Sequence, residues 1–322
     1  MLSSVSYTLA GVWVLGQNSV LLVGKRVDRI VLTSPGVLVH ENLVVCENKQ
    51  ILAVVGDQLQ VMGSVEKRPT KLASEVVDGE QLLYIADRAG NVYRIKPGQE
   101  EKATLLFGSI STITDLVITK DYIVTVDKDS KIRITHKEYP HRIAHFGLVH
   151  AKPILSTAII AGRFIVSGGY DCYLSVYDLE SQQASIFDLR NYTNSEFNPR
   201  LLPGIESSAR IPNTQAVSES LVKKVLAVDD YLLLLTDDKP VLLSIRRLEA
   251  SLELTHIPTP ALNSLSDIQD GVTAGGKNAF ILINVSGQLY QYSPNGPLTH
   301  LAKISDYTPN IDLSVASKCY SI

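Results

Sequence analysis

The chain has 322 residues, with 30 Lys and Arg against 33 Asp and Glu, a net charge of -3 and an isoelectric point near 6.2. A protein that held nucleic acid mainly through its own phosphate contacts would usually be basic, so the balance argues against a lone RNA or DNA binder while leaving room for a local basic patch. Cys46, Cys172 and Cys319 are scattered, which argues against a disulfide framework and for a reducing compartment. No run approaches the ~18 apolar residues of a membrane span, so a soluble, intracellular protein without membrane contact is expected.

The N-terminal segment MLSSVSYTLAGVWVLG lacks a basic leading region, and it reads as a strand that closes a sheet rather than as a signal peptide. Six hairpin signals come after it, each made of two β-rich runs across a short turn. They are LAVVGDQLQVM near residue 56, YIADRAGNVYRI near 89, YIVTVDKDSKIRIT near 129, FIVSGGYDCYLSVYD near 171, YLLLLTDDKPVLLSI near 238 and FILINVSGQLYQY near 286. Asp87 and Asp127 stand 40 residues apart, and Asp129 and Asp171 stand 42 apart. A period near 40 residues made of strands predicts a β-propeller.

Such a fold accommodates a chain this long because each blade packs only on its neighbours. Seven blades of about 42 residues need about 294 residues, which leaves room for one insertion. The fourth and fifth hairpins are 67 residues apart, and the excess lies in the Ser-, Asn- and Pro-rich stretch 181–220, read as a long loop. The expected architecture is a single all-β, seven-bladed propeller over residues 1–322. Its seventh blade would form by pairing of the N-terminal segment (Val5 to Leu15) with C-terminal strands at Leu301 to Ile304, Asp312 to Ala316 and Cys319 to Ile322, which would remove two exposed sheet edges.

The chemistry is sparse. His150, Ser167 and Asp171 follow the order of a WD-repeat blade, with Tyr177-Asp178 where Trp-Asp would stand. Such a set forms a hydrogen-bonded chain that fixes a turn. A hydrolase triad is the rival reading, but no G-x-S-x-G elbow accompanies it. In the preceding unit, Gly108-Ser109 replaces Gly-His and Thr135 replaces the aromatic. His136, His141, His145 and His150 cluster near Pro140, where no helix is expected to align them on a metal, so no metal site is predicted. No phosphate-binding glycine loop is present, and no catalytic residue is assigned. Lys131 and Arg133 are two apart on a strand and share a face; Lys128 sits in the turn before them. They either pair internally with Asp115, Asp127 or Asp129, or form a charged docking edge for an acidic partner.

The run from Ser111 to Ser181 resembles the WD-repeat non-catalytic subunit of the eukaryotic tRNA (guanine-N7-)-methyltransferase. The matching residues are Ile113-Thr114-Asp115, Asp127-Lys128-Asp129-Ser130-Lys131-Ile132-Arg133-Ile134, Phe146 to His150, and Ser167-Gly168 with Asp171 and Leu174. Lys128, Ser130, Val149 and Tyr177 depart from the family pattern. The resemblance implies a scaffold that holds a catalytic partner subunit in its active form as a heterodimer, for 7-methylguanosine formation in the tRNA variable loop. It implies no cofactor on this chain and S-adenosylmethionine on the partner. Contact with tRNA would be indirect or weak, and the location nuclear, with the cytoplasm as a second compartment. Lys128, Asp129, Lys131 and Arg133 become the expected partner contacts. A generic WD-repeat adaptor, in ubiquitin ligation or ribosome assembly, is the alternative. A propeller enzyme or sugar binder would need polar groups lining the central channel, which the sequence does not place.

Overall fold

The computed structural model describes residues 2–8, 11–16, 19–23, 27–56, 58–96, 103–189, 221–236, 239–248, 251–265, 268–274, 278–284, 286 and 288–303. They build seven four-stranded sheets, each from four consecutive antiparallel strands laid side by side in chain order. These sheets span residues 2–31, 36–64, 69–108, 113–147, 154–188, 222–257 and 268–303 and are numbered as blades 1 to 7. Val-, Ile- and Leu-rich strands joined by tight turns dictate this outcome. The one helix among the described residues is the single turn Pro260–Asn263.

The first strand of each blade faces the first strand of the next around a ring, and Leu2–Thr8 of blade 1 meets Ile268–Ala274 of blade 7. The ring therefore closes by packing of two complete blades. This corrects the expected closure, in which N- and C-terminal strands paired within one sheet. Blades 1 and 2 fit within residues 2–31 and 36–64, well short of the ~42-residue period, so the chain completes seven blades before its last residues. The expected strands at 312–316 and 319–322 lie outside the described residues. Leu301 belongs instead to Leu298–Lys303, the outer strand of blade 7.

Cores form between blades. Blades 5 and 6 share Val166, Leu174, Phe187, Leu234 and Leu243, and blades 7 and 1 share Val12, Val14, Leu21, Ile281 and Ile283. Each such side chain contributes about 1.5–3 kcal/mol on burial, so this last cluster welds the ring shut. The insertion starts later than expected, because Ala184–Asp188 is the outer strand of blade 5; residues 190–220 lie outside the described set. The hairpin signal near 56 is the outer pair of blade 2 (Gln50–Val55 with Gln58–Ser64), and its middle hairpin is Leu43–Cys46 with Gln50–Val55.

All seven first strands carry a bulge at one register position, after Leu2, Gly36, Pro69, Ile113, Ile154, Val222 and Ile268. A bulge inserts one residue and re-aims the side chains beyond it. The next paired residues are Ser4, Leu38, Lys71, Asp115, Ser156, Lys224 and Asp270.

Candidate docking surface

The turn between the second and third strands of blade 4 holds the charged motif. Asp127 ends the strand Tyr122–Asp127, and its Oδ1 accepts the backbone N–H groups of Asp129 and Lys131 at 2.9 and 3.0 Å. Asp87 clamps the blade 3 turn in the same way through Ala89 and Asn91. Burial pushes the Asp127 carboxyl above its ordinary value, against these amide contacts and the nearby Lys131 charge. Ser130 completes the turn at φ 65°.

This clamp presents the neighbouring side chains outward. Lys128 and Asp129 are exposed, and Lys131 Nζ reaches Asp129 at 3.2 Å. The Lys128 ammonium has no ion-pair partner among the described residues. Arg133 lies on Ile132–His136, the third strand of its blade counted outward from the ring axis. Its Nη1 donates to the Gly108 carbonyl at 2.8 Å, its Nε donates to Thr135 Oγ1 at 3.1 Å, and its guanidinium lies 4.3 Å from the Phe107 ring centroid. Gly108 and Phe107 belong to blade 3, so Arg133 staples blade 4 to its neighbour. Burial lowers its pKa from the ordinary value. The internal pairing considered from sequence holds for Lys131 alone. Asp115 bonds Lys71 instead, and Asp127 is spent on its turn.

Apolar surface flanks these charges; from sequence, Phe146 enters only as a family match and Ile110 is not singled out. Phe146 stands directly opposite Arg133 on the outer strand and is 41% exposed. Ile110 is fully exposed, in a linker pinned by Ser109 N–H to Gly90 O and by Thr112 Oγ1 to Arg88 O. The seam between blades 3 and 4 thus offers cations and two apolar side chains on a pinned backbone.

Blade 5 carries the buried polar set. His150 Nδ1 meets Asp171 Oδ2 at 2.9 Å, and His150 Nε2 meets Ser167 Oγ at 2.8 Å. Ser175 completes it, 3.1 Å from Nε2 and 2.7 Å from Ser167 Oγ. This corrects the expected role of Tyr177, which makes no hydrogen bond to the set. Its ring packs in an apolar cluster with Ile132, Ile165 and Ile186. Asp178 beside it accepts two bonds from Arg163 and caps the Glu180 and Ser181 amides. Burial alone would raise its pKa, but Arg163 and Ser181 outweigh burial and hold it at about 2. The His136 ring lies tilted against Tyr122, with centroids 5.3 Å apart, and His141 meets Tyr139 edge-on.

Seven four-stranded blades and a buried His–Ser–Asp set define a WD-repeat propeller. A family model described as the tRNA methyltransferase TRM82 WD40 domain matches residues 86–266. The chain belongs to that family, and the matched span contains the whole seam. A zebrafish (Danio rerio) protein named tRNA (guanine-N(7)-)-methyltransferase non-catalytic subunit wdr4 is 32% identical over 134 residues, covering 40% of this chain and 32% of the relative. The Candida glabrata non-catalytic subunit TRM82 is 35% identical over 140 residues, covering 38% and 32%. The match thus spans about a third of the length of these relatives. A propeller in the crystal structure of the mitotic checkpoint complex superposes with a TM-score of 0.64 at 11% identity, covering 93% of this chain and 86% of that one; the likeness is one of fold.

Proposed function

We propose that this chain is the non-catalytic subunit of a tRNA (guanine-N7-)-methyltransferase, and that the seam between blades 3 and 4 docks the catalytic subunit. The observation that carries the reading is the seam itself. Lys128 and Lys131 project from a turn clamped by Asp127, next to exposed Ile110 and Phe146, inside the span that the family model matches. A surface of this kind suits a partner face with carboxylates around an apolar contact. A rigid propeller would act by favouring one conformation of the enzyme. The methyl donor S-adenosylmethionine would sit on the partner, tRNA would meet this chain weakly or through the partner, and the complex would work in the nucleus.

The roles within the motif differ. Lys128 and Lys131 are the contact residues, and Asp129 orients Lys131. Arg133 positions the seam by stapling it to Phe107 and Gly108. The test is co-expression with the methyltransferase catalytic subunit. Wild type should co-purify with it and support 7-methylguanosine formation in tRNA. The K128E/K131E double variant should keep a melting temperature within ~2 °C, as exposed substitutions do, and lose the partner. Wild type that captures no methyltransferase would sink the proposal and leave a generic adaptor. Full assembly of the double variant would move the docking surface elsewhere.

A further inference from the structure

The ring axis holds a cavity of about 370 Å³. Among its lining residues are His40, Lys71, Ser74, Asp115, Thr157 and Lys224, contributed by first strands of blades 2 to 6. Two cross-blade ion pairs meet here. Lys71 of blade 3 reaches Asp115 of blade 4 at 2.8 Å, and Lys224 of blade 6 reaches Asp270 of blade 7 at 2.5 Å.

The two ends of these pairs differ in exposure. The Asp115 side chain is 3% exposed and accepts from Lys71, the Leu116 amide, Ser156 Oγ and the Thr157 amide. Asp270 is 10% exposed and also accepts its own following amide, that of Gly271. The ammonium sides keep 32% exposure at Lys71 and 24% at Lys224. An ammonium has three donors, and only one of each is taken by its carboxylate. Asp115 borders the chamber too, but its oxygens are already engaged by four donors, whereas each ammonium keeps donors beyond its one carboxylate contact.

His40 reports the same polarity. Its Nε2 is 3.0 Å from Ser74 Oγ. Burial, then the charges of Lys71 and Lys224, lower its pKa to about 4. The lysines thus act electrostatically on the chamber although each is paired.

We propose that this axial chamber binds a small oxyanion, of the phosphate or carboxylate class, between the Lys71 and Lys224 ammonium groups. The chemistry follows from the wall: spare cationic donors on two well-separated blades, beside carboxylates already engaged by protein donors, make an acceptor-rich, compact anion the complementary ligand. By bridging blades 3 and 6, such an anion would stabilise the folded ring by mass action. This site is separate from the seam, so its failure would leave the docking proposal intact.

The test titrates inorganic phosphate into the full chain at fixed pH and ionic strength, read by calorimetry and by the NMR signal of the His40 ring. Wild type should bind saturably with a Kd of about 1 mM or tighter, and the His40 signal should move with the same isotherm. The K224Q/D270N double variant removes one cation without stranding a buried carboxylate, and should weaken binding at least about tenfold. Absence of saturable binding by wild type, or unchanged affinity in the double variant, would overturn the proposal. Should that variant fail to fold, the wild-type His40 signal decides alone: a still His40 ring at saturating phosphate places the anion elsewhere.

Discussion

Asp129 in blade 4 and Asp171 in blade 5 occupy one position of the fold, two residues past the last paired residue of the second strand (Asp127 and Gly169). Their chemistry is opposite. Among the described residues the exposed Asp129 bonds Lys131 and its own turn, whereas Asp171 is buried under His150. The difference begins at the preceding position. Asp127 supplies a carboxylate that clamps its turn from within the strand. Gly169 cannot do so, and a Cβ there would meet Pro153 O at 2.1 Å. Blade 5 therefore fixes its turn from outside, through His150 and Asp171. The third strands differ to match. Ser175 faces Ser167 and joins the buried set, while Arg133, its counterpart facing Thr125, reaches blade 3. Where the clamp is internal, the turn's remaining charges are released to the surface. That separates a blade built for the fold from one available to a partner.

The first way to break this comparison is to remove both aspartates. Asp171→Ala leaves His150 Nδ1 and the Ala151 amide without their buried acceptor, at about 1–3 kcal/mol each. Denaturant unfolding should show a loss of about 3 kcal/mol. Asp129→Ala should stay within ~0.5 kcal/mol, as exposed sites do. Equal losses would mean that the two turns are held alike.

Arg133 comes next. Arg133→Ala removes a charged hydrogen bond to Gly108 and the contact with Phe107, partly offset by solvation, and should cost about 2 kcal/mol. Adding Phe107→Leu should cost less in the Arg133→Ala background than alone, because the two side chains are coupled. Additive losses would show that the staple carries no interaction energy, and Arg133 would count again among the free docking cations.

Much of this contrast was legible in the sequence. The middle hairpins of blades 3 to 7 stood out by alternation and turn residues, and the His150–Ser167–Asp171 set by its spacing. Blade 1 is harder to see: from sequence, Val5 to Leu15 reads as an end in need of a partner, and its partners Ser19–Val23 and Val27–Val31 follow directly in the chain. The channel charges were missed for a different reason. The bulge before Lys71, Asp115, Lys224 and Asp270 breaks strict alternation, so a period-two reading assigns them to the wrong face. The Arg133 staple depends on Phe107, which strand pairing in another blade brings near; no local pattern announces that contact.

Acid titration sharpens the comparison, since the two blades carry buried turn acids shifted in opposite directions. The Asp178 carboxyl sits at about 2, below the ordinary 3.8. Its stabilisation is full above the unfolded pKa and is lost as pH falls from about 3.8 towards 2. Asp127 is raised above 3.8, so the folded state holds its proton more tightly. Stability then falls as pH rises through the window from 3.8 upward. Melting followed from pH 3 to 7 should show the penalty of Asp178→Asn growing with pH and that of Asp127→Asn shrinking. The change at Asp178 should be about 1 kcal/mol, kept small because Arg163 is partly open to water, and the change at Asp127 should have the opposite sign. Parallel trends would contradict the assigned surroundings of one of the two.

The smallest expected effect lies at the residue after each aspartate. Ser130 and Cys172 both adopt the left-handed region, at φ 65° and 55°, where blade 3 places Gly90 at φ 87°. A side chain costs energy in that region, so Ser130→Gly should relieve strain at a partly exposed site and raise stability by about 0.5 kcal/mol, after the entropy that glycine adds to the unfolded chain. Cys172 has the same backbone but is 2% exposed, and Cys172→Gly empties buried space as it relieves strain. Lost packing at a buried site outweighs a relief of that size, so the sign should reverse, to a loss of about 1 kcal/mol in the same unfolding assay. Gains at both positions would mean that backbone strain governs both turns. A loss at Ser130 would show that its side chain, and not Asp127 alone, holds the blade 4 turn.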